Sequence, residues 1–310
     1  MLGAQSNSGL RGDYSRARAD FTVDQDMAGY SATDRAVWGK LMARQSMMVR
    51  SHACAEFIQG VDALGGSAGI PELSRISDFI ARRTGWRLVG VPGFIPDDAF
   101  FAHLAARRFP VSVWLRRPEE MDYLVEPDLF HDFFGHVPLL LHPVFADYLA
   151  AYGAKGLEAM QAHTLPRLAR LYWYMVEFGL IDTPGGLKAY GAGMLSSNTE
   201  THYSLESPLP HRVWFDLKRV MRTRYMIDAF QKTYFVLPDF EALFNAMAQD
   251  FRPLYESLQS LPDIEADTLI AGDRVYSAPA PAGASGCSSG RLRAKASRSA
   301  QAASIPHSRG

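Results

Sequence analysis

The sequence predicts a mainly α-helical domain with a small β component, and three observations lead there. Apolar residues recur at helical spacing through much of residues 27–270, with recognisable start and stop signals. Only two short stretches read as strands. There is no internal repeat and no glycine-rich phosphate loop after a strand, so solenoids and nucleotide-binding folds are set aside. The length of 310 residues alone would suit two domains, but the ends differ from the middle. Residues 1–26 hold isolated apolar positions, and residues 271–310 are rich in Ala, Ser, Gly and Pro. Neither end can bury enough apolar area to offset about 1–2 kcal/mol of backbone entropy per ordered residue. The expected organisation is a disordered arm over 1–26, one domain over 27–270 and a disordered tail over 271–310.

The elements follow in order. Ser31 and Asp34 form a capping box ahead of an amphipathic run in which Ala36, Trp38, Leu41, Met42 and Met48 recur at helical spacing. Pro71 opens a second helix, carried by Leu73, Ile76, Phe79 and Ile80 and stopped at Thr84-Gly85. Trp86 to Val91 and Pro110 to Arg116 read as strands flanking a helix over Asp97 to Arg108. Later helices are expected over Pro143 to Met160, Pro166 to Leu180, Pro210 to Tyr225 and Pro238 to Phe251.

Composition excludes several function classes. A net charge of −1 argues against electrostatic binding of nucleic acid, although the charge is unevenly shared. Residues 281–310 carry +5, which leaves −6 on the remainder, an acidic body with a basic tail read as a solvated extension. No apolar run approaches membrane-span length and no apolar signal region opens the chain, so no membrane association and a cytoplasmic location are expected. Cys54 and Cys287 lie too far apart for a disulfide framework or a thiolate metal site.

The segment that carries chemistry is Glu126-Pro127-Asp128-Leu129-Phe130-His131-Asp132-Phe133-Phe134-Gly135-His136-Val137-Pro138. Histidines five apart lie about 140° apart around an ideal α-helix, so a straight helix would not aim both at one point. A bend is required, and Gly135 and Pro138 could supply it. The spacing is not the His-Glu-x-x-His face of zinc proteases, which makes a zinc hydrolase a minor alternative. Glu177 is the only charge in the run Leu171 to Leu180, where an unpaired carboxylate facing a core would cost several kcal/mol. Trp173 shares its helix face. Two imidazoles and a carboxylate match the facial triad of non-haem iron(II). In the alternative arrangement the histidines are ordinary core or surface residues and Glu177 pairs with Arg170 or Lys188.

At these residues the chain resembles the pterin-dependent aromatic amino acid hydroxylases, most closely the single-domain bacterial phenylalanine 4-hydroxylases. The resemblance covers about 31–250. Besides the histidine segment it rests on Tyr172-Trp173, on Val176-Glu177-Phe178-Gly179 and on Lys188-Ala189-Tyr190-Gly191-Ala192-Gly193-Met194-Leu195-Ser196-Ser197. It implies a single catalytic domain with its iron site in a helix-lined pocket, and His131, His136 and Glu177 as the ligands of Fe(II). It also implies that a tetrahydropterin, tetrahydrobiopterin or a related bacterial pterin, reacts there with O2. In that family the reaction yields a hydroxypterin and an iron(IV)-oxo species that attacks the substrate ring.

The same resemblance assigns the pocket. Arg116 would hold the substrate carboxylate, assisted by Ser196, while Pro127 and Trp173 would line the ring site. The pterin would lie against Phe100 and take backbone hydrogen bonds from the loop that includes Gly93, Phe94, Ile95 and Asp97, with the acids Asp132 and Glu200 nearby. Each has a plainer alternative: an ion pair of Arg116 with Glu119 or Glu120, a turn hydroxyl at Ser196, and core positions for Trp173 and Phe100. Asp132 and Glu200 could likewise be solvated surface charges. Leu124 and Pro96-Asp97 depart from the vertebrate pattern, which has a threonine and two serines there. Ile227 aligns with a position that is apolar in phenylalanine and tryptophan hydroxylases and aspartate in tyrosine hydroxylases. L-Phenylalanine is therefore the expected substrate, with tryptophan or tyrosine hydroxylation, or a non-catalytic metal-binding module, as alternatives. With no regulatory domain ahead of the catalytic segment and no long heptad helix after it, a monomer is expected.

Overall fold

A computed structural model describes residues 11–65, 69–122, 124 and 126–277. Helix α1 (Ala32–His52) begins at the expected capping box: Ser31 Oγ accepts the Asp34 N–H at 3.1 Å, and the Asp34 carboxylate accepts the Ser31 N–H at 2.8 Å. Its buried stripe runs through Val37, Trp38, Leu41, Met42, Met48 and Val49, so Val37 faces inward where Ala36 was expected to. A short helix α2 (Ala55–Ala63), which the apolar pattern did not reveal, precedes α3 (Leu73–Thr84). Strands β1 (Arg87–Val91) and β2 (Arg108–Ser112) pair in parallel, joined through α4 (Asp97–Ala105). That crossover is the usual way to connect parallel neighbours. The second strand ends four residues earlier than predicted. Val113 still bonds to Val91, but Trp114 turns its carbonyl to Leu129, and Arg116 lies beyond the sheet in the turn leading to the histidines.

Helix α5 (Pro143–Gln161) fills its predicted span. The single helix expected over 166–180 is instead α6 (Leu165–Tyr172), a π-helical turn over Trp173–Glu177 and then a hairpin of β3 (Leu180–Thr183) and β4 (Gly186–Ala189). Helices α7 (Ala192–Leu195) and α8 (Asn198–Glu206) follow. The helix expected over 210–225 is also corrected. Its first part is β5 (His211–Trp214) and only Leu217–Arg222 is helical, as α9. Strand β6 (Thr233–Leu237) is buried along its whole length and pairs with both β5 and β3, so the backbone groups of 211–214 are satisfied across the sheet. The four strands run in the order β4-β3-β6-β5. The last expected helix, Pro238 to Phe251, is α10 (Phe240–Met247), and a further helix not expected from the sequence, α11 (Phe251–Gln259), begins where it was to end, with the Asp239 and Asp250 side chains capping each start. Among the described residues no helix is long and apolar enough to cross a membrane.

Both boundaries of the domain also move. Residues 11–26, expected as a disordered arm, pack on the body: Tyr14 Oη donates to the Phe94 carbonyl, Val23 N–H donates to Gly90, and the Arg11 guanidinium lies 4.5 Å from the Trp114 ring centre. These are specific polar contacts, which a count of apolar residues does not register. At the other end Tyr276 and Arg274 pair with β5, and Asp273 forms a buried two-pronged ion pair with Arg219. The expected tail therefore begins no earlier than residue 278, and residues 278–310, Cys287 included, lie outside the described residues. Cys54 is buried, and that burial pushes its thiol up to about 12, which fits an incidental cysteine.

Removing one partner of a buried ion pair leaves an uncompensated charge. Asp273→Ala is expected to lower the unfolding free energy by about 3–5 kcal/mol in urea titrations. A loss below about 1 kcal/mol, typical of an exposed pair, would show that 271–277 does not brace the domain.

Candidate metal centre and adjoining pocket

The two histidines are brought together by winding rather than by bending. His131–His136 forms a π-helical turn, whose i to i+5 hydrogen bonding widens the helix and returns the fifth residue to the same side. The bend expected at Gly135 and Pro138 is thus replaced by a local change of helix type. Pro138 sits in the 3₁₀ turn that follows, Val137–Leu141. Gly135 lets α7 approach, since a Cβ there would stand 2.9 Å from the Ala192 carbonyl oxygen. His131 Nε2 and His136 Nε2 lie 3.3 Å apart. Glu177 ends the second π turn, and its carboxylate reaches 3.2 Å from His136 Nε2 and 3.6 Å from His131 Nε2.

This donor set fits a metal ion. Ligand atoms bound at about 2.0–2.2 Å and at right angles lie roughly 3 Å apart, close to the separations seen here. His131 Nδ1 is 2.9 Å from Ser196 Oγ, the kind of outer contact that fixes the orientation of a ligating imidazole. The alternative pairings of Glu177 are not made. Arg170 is bound to Asp263, and Lys188 donates to the Ser51 carbonyl. Burial is the strongest influence on all three groups. It holds His131 below the usual histidine range, whereas at His136 the charge and hydrogen bond of Glu177 together with the charge of Asp132 outweigh it and raise the pKa. Glu177 is lowered on balance because the two histidines overcome its own desolvation.

A cavity of about 380 Å³ opens beside the three ligands, within the range of small-molecule sites. Its lining includes Gly93, Phe94, Ile95, Phe100, Arg116, Pro127, Asp132, Trp173, Ser196, Glu200 and Ile227 as well as the three ligands, so the sequence-predicted residues converge on one space. Asp97 is the exception. It occupies the first turn of α4, where a carboxylate complements the helix dipole, and it is not part of the lining.

The local reasons differ. Gly93 has φ +148°, and a Cβ there would lie 2.4 Å from Glu126 Oε1, so the loop needs glycine on both counts. Phe100 meets Tyr172 edge-on. The Trp173 indole stacks on Tyr225 at 4.4 Å, and its N–H donates to Gln231. Neither Asp132 nor Glu200 is a solvated surface charge. Asp132 accepts the Ser112 N–H at 2.8 Å, Glu200 accepts from Gln231 N–H and Tyr234 Oη, and burial raises both carboxyls. Ile227 is 57% exposed and stands at the rim rather than forming a buried wall.

Arg116 does not pair with Glu119 or Glu120. Its Nε and Nη2 bind the fully buried Asp128 at 2.8 Å each. Asp128 also accepts the backbone N–H groups of Arg116 and His131, and the sequence reading missed it. Its signal was available: an aspartate three residues before His131, at a helix N-cap position. Tyr225 and Gln231, which set Trp173, carried no comparable mark.

Comparison with known proteins gives a consistent picture. The family model described as "Biopterin-dependent aromatic amino acid hydroxylase" matches residues 14–260. The chain is 55% identical over 262 residues to a phenylalanine-4-hydroxylase of Ralstonia nicotianae, covering 84% of each chain. To that of Chromobacterium violaceum it is 54% identical over 263 residues, covering 82% of this chain and 89% of the other. A crystal structure of phenylalanine hydroxylase from C. violaceum with iron and phenylalanine bound superposes with a TM-score of 0.80 at 51% identity, covering 87% of this chain and 96% of that one.

Removal of a ligand and of its support should be distinguishable. Glu177→Ala and His131→Ala are expected to abolish retention of iron after gel filtration. Ser196→Ala, which frees His131 Nδ1, is expected to weaken iron binding about 10- to 100-fold. Unchanged metal content in the two ligand variants would reject the triad.

Proposed function

The chain belongs to the biopterin-dependent aromatic amino acid hydroxylase family, and from that premise we propose that it converts L-phenylalanine to L-tyrosine with O2 and a tetrahydropterin. The observation that carries this reading is the two-histidine, one-carboxylate face opening directly into a cavity bordered by an oriented guanidinium and an aromatic wall. Iron(II) would be held by His131 Nε2, His136 Nε2 and the Glu177 carboxylate. When bound, iron and tetrahydropterin supply the activation of dioxygen that ring hydroxylation needs.

The residues of the chain then bind and orient. Asp128 holds Arg116 by its Nε and Nη2 edge, which leaves Nη1 without a partner among the described residues and available to the substrate carboxylate. With the carboxylate so anchored, Pro127 and Trp173 confine the ring beside the metal face, and burying a phenyl group there is worth about 1.5–3 kcal/mol. The backbone of Gly93 to Ile95 and the Phe100 ring offer the pterin a flat, hydrogen-bonding berth. Ile227 offers no hydrogen bond to a substrate hydroxyl, which disfavours tyrosine as the substrate. The preference over tryptophan rests on the similarity to bacterial phenylalanine-4-hydroxylases.

Two outcomes test this. The iron-loaded protein, supplied with tetrahydropterin and oxygen, is expected to form tyrosine from phenylalanine at a rate coupled to pterin oxidation. Hydroxylation of tryptophan without tyrosine formation would overturn the substrate, and the absence of both pterin oxidation and any hydroxylated product would favour a non-catalytic module. Arg116→Lys keeps a cation opposite Asp128 but loses the fork. It is expected to raise KM for phenylalanine about tenfold or more with iron content kept, the loss of a charged hydrogen bond worth about 1.5–3 kcal/mol. An unchanged KM would remove Arg116 from the substrate site.

A further inference from the structure

A second group of metal-binding side chains stands apart from the cavity. His52 is the last residue of α1, and His202 and Glu206 lie four apart on one face of α8. Glu206 Oε1 is 3.1 Å from His52 Nε2 and 3.0 Å from His202 Nδ1, and one donor atom from each residue falls within 4.8 Å of the others. The two imidazole rings meet nearly edge-on, with centroids 4.4 Å apart. Ligands held at about 2.0–2.1 Å in a tetrahedron lie roughly 3.3 Å from one another, so these separations suit one small ion.

The orientation of His52 suits the same geometry. His52 Nδ1 is 2.9 Å from both the Met48 carbonyl oxygen and Ser51 Oγ, which fix the orientation of the ring. The ring is thereby turned so that Nε2 faces the Glu206 carboxylate. A backbone carbonyl bound to the far nitrogen is also the usual support of a ligating histidine. Lys188, packed against the same segment, donates its Nζ to the Ser51 carbonyl.

We propose that His52, His202 and Glu206 form a second site that takes a divalent transition ion of the zinc class. Two imidazoles and one carboxylate favour such an ion over calcium or magnesium. Three protein ligands leave a position for water, and Glu206 and His202 are exposed enough for the ion to enter from solvent. Bound there, the ion clamps the end of α1 to the end of α8, whose first turn contributes Asn198, Thr199 and Glu200 to the cavity.

The test uses the full chain already carrying one equivalent of iron. Zinc chloride is added, free metal is removed, and both metals are counted by elemental analysis. One iron and one zinc per chain are expected, with the zinc affinity weakened about tenfold or more in His202→Ala and in Glu206→Gln while iron is retained. A melting temperature raised by zinc in the parent chain but not in the two variants is the accompanying expectation. Zinc that merely replaces iron at one metal per chain, or a second equivalent that survives both substitutions, would overturn the proposal. His202 and Glu206 are chosen because they are the more exposed ligands, so their replacement leaves the core intact.

Discussion

Everything at the metal centre depends on making residues five apart in sequence face one point. An α-helix cannot do this, and the chain answers with two π-helical turns, one holding His131 and His136 and one ending in Glu177. A π turn is rarer and looser than an α turn, so its surroundings must hold it. The histidine turn is gripped between β2 and α7, and the glycine at 135 permits the close approach of Ala192. The glutamate turn is followed at once by the β3–β4 hairpin, which returns the chain so that α7 and Ser196 come to rest beside His131. The run Lys188 to Ser197, conspicuous in the sequence, is thus the support of the ligands and part of the pocket wall.

A second constraint couples the proposed metal and substrate sites. Asp128 is fully buried, and a carboxylate in that position is tolerable only if its oxygens are saturated. It receives four N–H donors: the backbone of Arg116, the Nε and Nη2 groups of its guanidinium, and the backbone of His131. One side chain therefore fixes the direction of the guanidinium and starts the turn that carries the first histidine. A displacement of the Arg116 guanidinium is consequently a displacement of the first histidine as well.

Much of this was legible in the residues. The ligands, the aromatic wall and the loop glycine converge as the resemblance implied, and the helices with clear caps, α1 and α5, fall where the sequence places them. The failures have physical causes. His211 to Trp214 mixes polar and apolar residues in a pattern that suits helix or strand, and its choice is made by β6, a partner some twenty residues away. Residues 11–26 look too polar to order, yet they are held by single hydrogen bonds to Phe94, Gly90 and Glu126, each of which needs the folded partner to be visible. Asp97 was placed by alignment to a loop, and the dipole of α4 is a sufficient reason for an acid at that point.

The aromatic wall shows how a rim residue can matter without being buried. The Trp173 indole N–H is bound by the Gln231 side-chain oxygen, while the Gln231 amide nitrogen donates to the carbonyls of Met226 and Ala229 on either side of Ile227. Gln231 is itself buried, and its backbone N–H is held by Glu200, which in turn receives Tyr234 from β6. The position of the ring wall and the path of the exposed 225–230 segment are thus set by one amide anchored to the central sheet. The Ile227 side chain is presented at the rim by a backbone that this amide holds in place. Loosening Gln231 would move the wall and the rim together, so the shape of the pocket mouth is a property of the Glu200–Gln231–Trp173 chain of hydrogen bonds rather than of Ile227 alone.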